Sequence, residues 1–300
     1  MRLFDLHCDT LYELYQNKLS LHQNNLHVDL QKGNRFSPWC QVFAVWIPED
    51  KRGEEAVAFF SNVVAYACQQ FSFIKTKPEA KRAIDEGKCA GILAVEGGSV
   101  LGGNIENIAR LSNFGVKIVT LTWNGSNELG NGCLSKDTGG LTSFGKEVVR
   151  KLYQHRIMPD VSHLNESGFW DVAELSDKPF IATHSVSADI HVHPRNLNRC
   201  QFAEIRDRGG VVGINFCADQ LGRLDFETVY RHLAHFCDLG GENTVALGTD
   251  FDGTTLPPPW NNMAVLEALA EHLCKKGFSE TMLDKFFFEN AWNFFEKHLL

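Results

Sequence analysis

The sequence predicts a single α/β domain, residues 1–300, of (β/α)8 TIM-like barrel type with additional C-terminal helices. Three observations point there. Eight short apolar runs bounded by turn residues alternate with helical or long connecting segments. Six residues of His, Asp or Glu stand at the carboxyl ends of those runs, where a parallel barrel would collect them on one rim. The 300 residues fit one large barrel, and no Pro/Ser-rich linker, low-complexity tract or fixed-period repeat divides them.

Leu3 to Cys8 reads as the first strand and runs into Asp9. Residues two apart on a strand face the same way, so His7 and Asp9 can grip one ion while Cys8 points to the other face. Thr10 to Leu19 reads as a helix, and the stretch around His22 and His27 as solvated loop. Trp39 to Ile47 is the second strand, stopped by Pro48. Glu54 to Phe73 has Val57, Phe60, Val64, Ala67 and Phe71 at helical intervals, and Pro78 opens a shorter helix that ends at Gly87. Ala90 to Val95, the third strand, runs into Glu96-Gly97-Gly98. A carboxylate is unwelcome at the end of an apolar strand unless an ion or cation meets it.

Asn104 to Asn113 is a short helix and Val116 to Thr122 the fourth strand. The Gly/Asn-rich loop from Trp123 to Gly140 is long enough to face a substrate. After a helix from Ser143 to His155, Ile157 to Val161 is the fifth strand, ending at Ser162-His163, and Asn165 caps a helix to Leu175. Pro179 to Thr183 is the sixth strand, ending at His184-Ser185. Val211 to Phe216 is the seventh and Val245 to Gly248 the eighth, with helices around Phe202 to Arg208 and Phe226 to Leu239. Met263 to Cys274 and Glu280 to His298 read as C-terminal helices. Phe286, Phe287, Phe288, Trp292, Phe294 and Phe295 form a broad apolar surface read as core, with contact to a second copy of the chain (a homodimer) as the alternative.

A formal net charge of -8, with no Lys/Arg cluster reversing it locally, argues against a nucleic-acid surface. Nine cysteines without a Cys-x-x-Cys pair suggest reduced, mostly buried thiols. Met1-Arg-Leu-Phe-Asp5 lacks a secretory pattern and no segment resembles a membrane span, so the expected compartment is cytoplasmic and no membrane partner is expected.

His7, Asp9, Glu96, His163, His184 and Asp250 exceed what one catalytic zinc needs, since three protein ligands and an open position suffice. Two divalent ions account for them better: His7 and Asp9 on one, His163 and His184 on the other, and Glu96 bridging. Two such ions can share a hydroxide and acidify its parent water, and Asp250 would collect the proton and pass it to a leaving group. The other histidines do not fit this pattern. His191 and His193 fall in a loop, near the site at most or in solvent; His232 and His235 share a helix face with no third ligand; His155, His272 and His298 read as helical surface.

Asp5-Leu-His7-Cys-Asp9, Val95-Glu96-Gly-Gly98, Gly140-Leu-Thr-Ser-Phe-Gly145, Asp160-Val-Ser-His163, Thr183-His184-Ser185, Pro194-Arg195-Asn196 and Gly248-Thr-Asp250-Phe-Asp-Gly253 resemble, in order, the motif series of the membrane (renal) dipeptidase family. That family is a binuclear zinc branch of the metal-dependent hydrolase barrels. The resemblance implies zinc on His7, Asp9, Glu96, His163 and His184, Asp250 as proton shuttle, and a small dipeptide whose carboxylate meets the planar fork of Arg195. The mammalian members have a histidine at the position of Trp123, thought to steady the substrate oxyanion. Trp123, Asn124 or Asn127 takes that role here, or the oxyanion rests on zinc alone. Absence of a lysine at a strand end argues against relatives that bridge their metals with a carboxylated lysine. The expected activity is hydrolysis of dipeptides, L-D dipeptides among the candidates. A lactonase, an N-acyl amino acid deacylase and a non-catalytic metal-bound scaffold are the rivals.

Overall fold

The computed structural model describes residues 1–300. Seven strands form one sheet in the order β5-β4-β3-β2-β1-β7-β6. They are β1 (Leu3–Cys8), β2 (Trp39–Trp46), β3 (Cys89–Glu96), β4 (Ile118–Thr120), β5 (Met158–Asp160), β6 (Val212–Ile214) and β7 (Val245–Leu247). Every pairing is parallel, so all carboxyl ends share one rim.

The expected sixth strand, Pro179 to Thr183, needs correcting. Ile181 makes a single parallel bridge to Asp160 of β5, and Ala182 a single one to Val212 of β6, so this segment is too short to stand as a strand. Its backbone is nevertheless hydrogen-bonded to both edges of the sheet, with Val161 N–H donating to Ile181 O at 2.8 Å and Ala182 N–H to Val211 O at 3.1 Å. Beyond those bridges the Thr183 N–H donates to the Asp160 carboxylate at 2.9 Å. The strands expected at Val116, Ile157, Val211 and Val245 likewise shorten to three residues each.

Alternate strand positions separate two cores. Phe4, Leu6, Val42, Ala44, Ile92, Ala94, Ile118 and Ala246 belong to a 20-residue cluster. Leu3, Phe43, Val45, Leu93 and Val95 join a 63-residue cluster with the helices. A register shift between Asp5 and Cys8 marks a β-bulge in β1. It resets the alternation, leaving Cys8 with the helix-side cluster and re-aiming the residues just before the rim.

The C-terminal segments Glu280–Asp284, Lys285–Glu289 and Asn290–His298 run end to end, the middle one a π-helical turn. Phe288 and Phe295 pack on Phe4, with ring centroids 6.3 and 4.8 Å away. Phe286, Phe287 and Phe294 are also buried, which commits this aromatic surface to the chain's own core. All nine cysteines are free, but only Cys8 and Cys40 are buried, fewer than expected; Cys68, Cys200 and Cys274 are exposed.

Candidate metal centre and cleft

The strand ends bring the six expected polar residues together. His7, Asp9, Glu96, His163, His184 and Asp250 are all buried. Their donor atoms form three overlapping groups, His7-Asp9-Glu96, Glu96-His163-His184 and His7-His184-Asp250, in each of which the atoms lie within 4.8 Å of one another. The two oxygens of Glu96 divide between two of these groups. Oε2 lies 3.9 Å from His7 Nε2, whereas Oε1 lies 2.9 Å from His163 Nε2 and 3.4 Å from His184 Nε2.

Partners behind the histidines set which nitrogen faces inward. Asn124 Oδ1 lies 2.8 Å from His163 Nδ1, so a proton there leaves Nε2 as a donor to a metal. Thr183 Oγ1 donates to Asp160 at 2.6 Å and stands 2.8 Å from His184 Nδ1, which gives His184 the same tautomer. Asp160 also accepts from the Ser162 and Thr183 N–H groups. Asp5 plays the matching part under β1, accepting from Thr249 N–H and Oγ1 at 2.8 and 2.7 Å and from Gln41 Nε2 at 3.0 Å. Sequence reasoning gave neither aspartate a role. The available signal was an aspartate inside an otherwise apolar strand, as at Asp5.

Backbone conformation concentrates at the same rim. His163, Asp250 and Asp252 have φ of 68°, 62° and 67°, left-handed values that non-glycine residues avoid unless their surroundings hold them. A Cβ at Gly253 would collide with the carboxylates of Asp9 and Asp250, so only glycine lets that turn close on the site. His27, expected to be solvated, instead clamps the turn. Its N–H donates to Asp252 Oδ1 at 2.7 Å and its Nδ1 accepts the Asp252 N–H at 2.9 Å, while Thr10 holds the other oxygen.

Charge is unbalanced here. Burial pushes Asp250 up to about 7 and Glu96 well above the usual carboxylate range. Burial opposes protonation of His7, but Asp9, Glu96 and Asp250 outweigh it and raise His7 to about 10. Burial, with Arg195 and His7 nearby, pushes His163 and His184 well down, leaving them neutral. His7 Nε2 and Asp9 Oδ1 are buried without hydrogen-bond partners. Neutral imidazoles, surplus buried carboxylate and unpartnered donors fit a divalent cation.

The cluster floors a cleft of about 300 Å³ lined also by Tyr12, Glu13, Trp46, Trp123, Asn124 and Arg195. Residues 1–298 match the membrane dipeptidase family, peptidase family M19. The chain belongs to that family.

Solved structures agree with the assignment. The M19 chain is 29% identical to the dipeptidase AC, a metallopeptidase of the same family, with a TM-score of 0.92 over 100% of this chain and 99% of the other. It is 28% identical to a metallopeptidase from Rhodobacter sphaeroides bound to a phosphinate mimic of the dipeptide L-Ala-D-Ala, with a TM-score of 0.91 over 99% of each chain. It is also 32% identical, over 79% of its length and 92% of the relative's, to an uncharacterized protein in the pqqA 5' region of Klebsiella pneumoniae. The M19 chain is a metallo-dipeptidase, a hydrolase of peptide bonds. None of its helices is long and apolar enough to cross a membrane.

The remaining expected residues separate clearly in this M19 cleft. Arg195 is 5% exposed. Its guanidinium donates to His184 O at 3.0 Å and to Ser185 Oγ at 3.3 Å, and its Nε has no partner. No carboxylate of the chain pairs with it within 4.0 Å. Trp123 packs edge-on against Trp46, ring centroids 5.2 Å apart. Asn124 faces His163 as well as the cleft. Asn127 lies outside the cleft lining, with its side chain spent on Leu121 O and the Leu129 N–H.

Proposed function

We propose that this metallo-dipeptidase holds two zinc ions, one on His7 and Asp9 and the other on His163 and His184, with Glu96 shared, and cleaves small dipeptides including L-D ones. The observation that carries the substrate reading is Arg195. A buried guanidinium without a carboxylate partner is costly unless a ligand supplies one, and a dipeptide's terminal carboxylate matches its planar fork. The L-Ala-D-Ala mimic bound by the Rhodobacter sphaeroides relative supports the L-D range.

Bound divalent ions supply Lewis acidity for the scissile carbonyl and lower the pKa of the attacking water. This chain's residues do the rest. Arg195 fixes the substrate carboxylate beside His184, to whose carbonyl it is hydrogen-bonded. Asp250, grouped with His7 and His184 at the rim, is placed to take the water's proton and hand it to the leaving amine. Asn124 holds His163 in its donor tautomer, while Trp123 offers an indole N–H at the cleft wall.

The test is amino-acid release from L-L and L-D dipeptides by zinc-loaded, chelator-stripped and zinc-restored protein. Cleavage should vanish and return with the metal; protein holding two zinc ions yet inert on every dipeptide would refute the reading. Asp250→Asn should keep its metal and lose about 100- to 10,000-fold in kcat, and unchanged turnover would remove Asp250 from proton transfer.

A further inference from the structure

The sheet order places the wall opposite Arg195. Residues 181 and 182 bridge β5 and β6, so this segment stands four positions from β2 in either direction round the sheet. Arg195 is fastened to His184 and Ser185, just beyond that segment. Across the metal donors, the carboxyl end of β2 presents Trp46, paired in register with Glu96. Tyr12, from the helix Thr10–Asn17, meets Trp46 with centroids 4.9 Å apart at 73°. Glu13 follows on the same helix, one turn beyond Asp9, and all three residues line the cleft.

We propose that Tyr12, Glu13 and Trp46 form the subsite for the side chain of the dipeptide's first residue, and that it selects a cationic side chain, arginine or lysine. This rests on the dipeptidase reading. With the terminal carboxylate on Arg195 and the peptide bond over the donor cluster, the amino-terminal residue lies toward β2. Aromatic rings attract a cation through their negative faces. Glu13 adds a carboxylate whose one side-chain partner is the neutral Asn17 amide. Arg195 is the only lysine or arginine lining the cleft, so an acidic side chain meets no cation at the far wall.

The experiment measures kcat/KM of zinc-loaded protein on Arg-Ala, Leu-Ala, Glu-Ala and Ala-Ala, in wild type, Glu13→Gln and Glu13→Lys. Wild type should prefer Arg-Ala to Leu-Ala by about tenfold and disfavour Glu-Ala. Glu13→Gln should narrow the Arg-Ala to Leu-Ala ratio about fivefold, and Glu13→Lys should shift preference toward Glu-Ala. A Glu13→Gln loss equal on all substrates would assign Glu13 to the α-ammonium and overturn the side-chain subsite. Hydrolysis of Ala-Ala with equal rates on the other three would overturn the subsite alone. No hydrolysis of any dipeptide would overturn the dipeptidase reading and the subsite with it.

Discussion

The two halves of the sheet hold their parts of the candidate donor cluster by different means. β1, β2 and β3 are six, eight and eight residues long, and β2 pairs with β3 in register from Trp39–Cys89 to Trp46–Glu96. Glu96 ends the β2–β3 ladder, while His7 lies in the bulge of β1 and Asp9 just beyond that strand. β4 to β7 have three residues each, and the segment carrying His184 has only single bridges. There, buried side chains add to a short backbone pairing. Asp160 gathers Thr120, Ser162 and Thr183, and Asn215 joins His184 O to Gln220. His232 holds the Ser187 N–H at 3.1 Å and Leu221 O at 3.2 Å. Ladders fix a ligand by repetition, whereas a polar network fixes it only while every member is paired.

Glu96 belongs to both halves, so its loss should have the largest effect. Glu96→Ala should reduce bound metal and lower kcat/KM by about 1,000-fold or more; metal content and turnover together check this, and retention of both ions would refute a shared role. The next comparison sets one half against the other. Asp160→Asn should weaken metal binding by about 10- to 100-fold, as loss of an outer partner of a ligand does. Asp5→Asn, under the paired β1, should weaken it less. Competition with a graded chelator series measures both, and equal losses would erase the contrast.

Acid should test the short-strand half first. Burial pushes His232 down to about 4, below its ordinary 6.5. The unfolded chain therefore takes up a proton below pH 6.5 that the folded chain refuses until about pH 4. The stability His232 contributes is complete above pH 6.5 and is lost as pH falls from 6.5 to 4, at most about 3 kcal/mol. Denaturant titrations across that range should show a shallower fall in His232→Gln, and an unchanged slope would mean another group governs it. The smallest effect is expected at Asn127. Asn127→Ala should cost about 1 kcal/mol through two lost backbone hydrogen bonds and leave KM unchanged, since the side chain turns from the cleft; a raised KM would place it with the substrate.

Legibility in the sequence followed the same division. The long strands were visible as apolar runs, and the His7/Asp9 pair as a two-residue spacing at the end of one of them. Glu96 stood out because a carboxylate ends an apolar strand. Pro179 to Thr183 reads as a strand because it is apolar, and it does join the two edges of the sheet, but only through one bridge on each side. His27 looked solvated because its partner, Asp252, lies 225 residues away. The buried place of His232 was also hidden, since its partners are the backbones of two other loops.

The sequence by itself determined the alternation of strands and helices, the apolar faces and the polar residues that meet at the rim, because periodicity and residue chemistry are local properties. Only the tertiary structure decided which oxygen of Glu96 faces which histidines and which nitrogen each imidazole turns inward. It also decided that Arg195 stands without a carboxylate, across the sheet from Tyr12, Glu13 and Trp46. Those are relations between segments far apart in the chain, set by how the sheet curls and by which buried polar groups find one another.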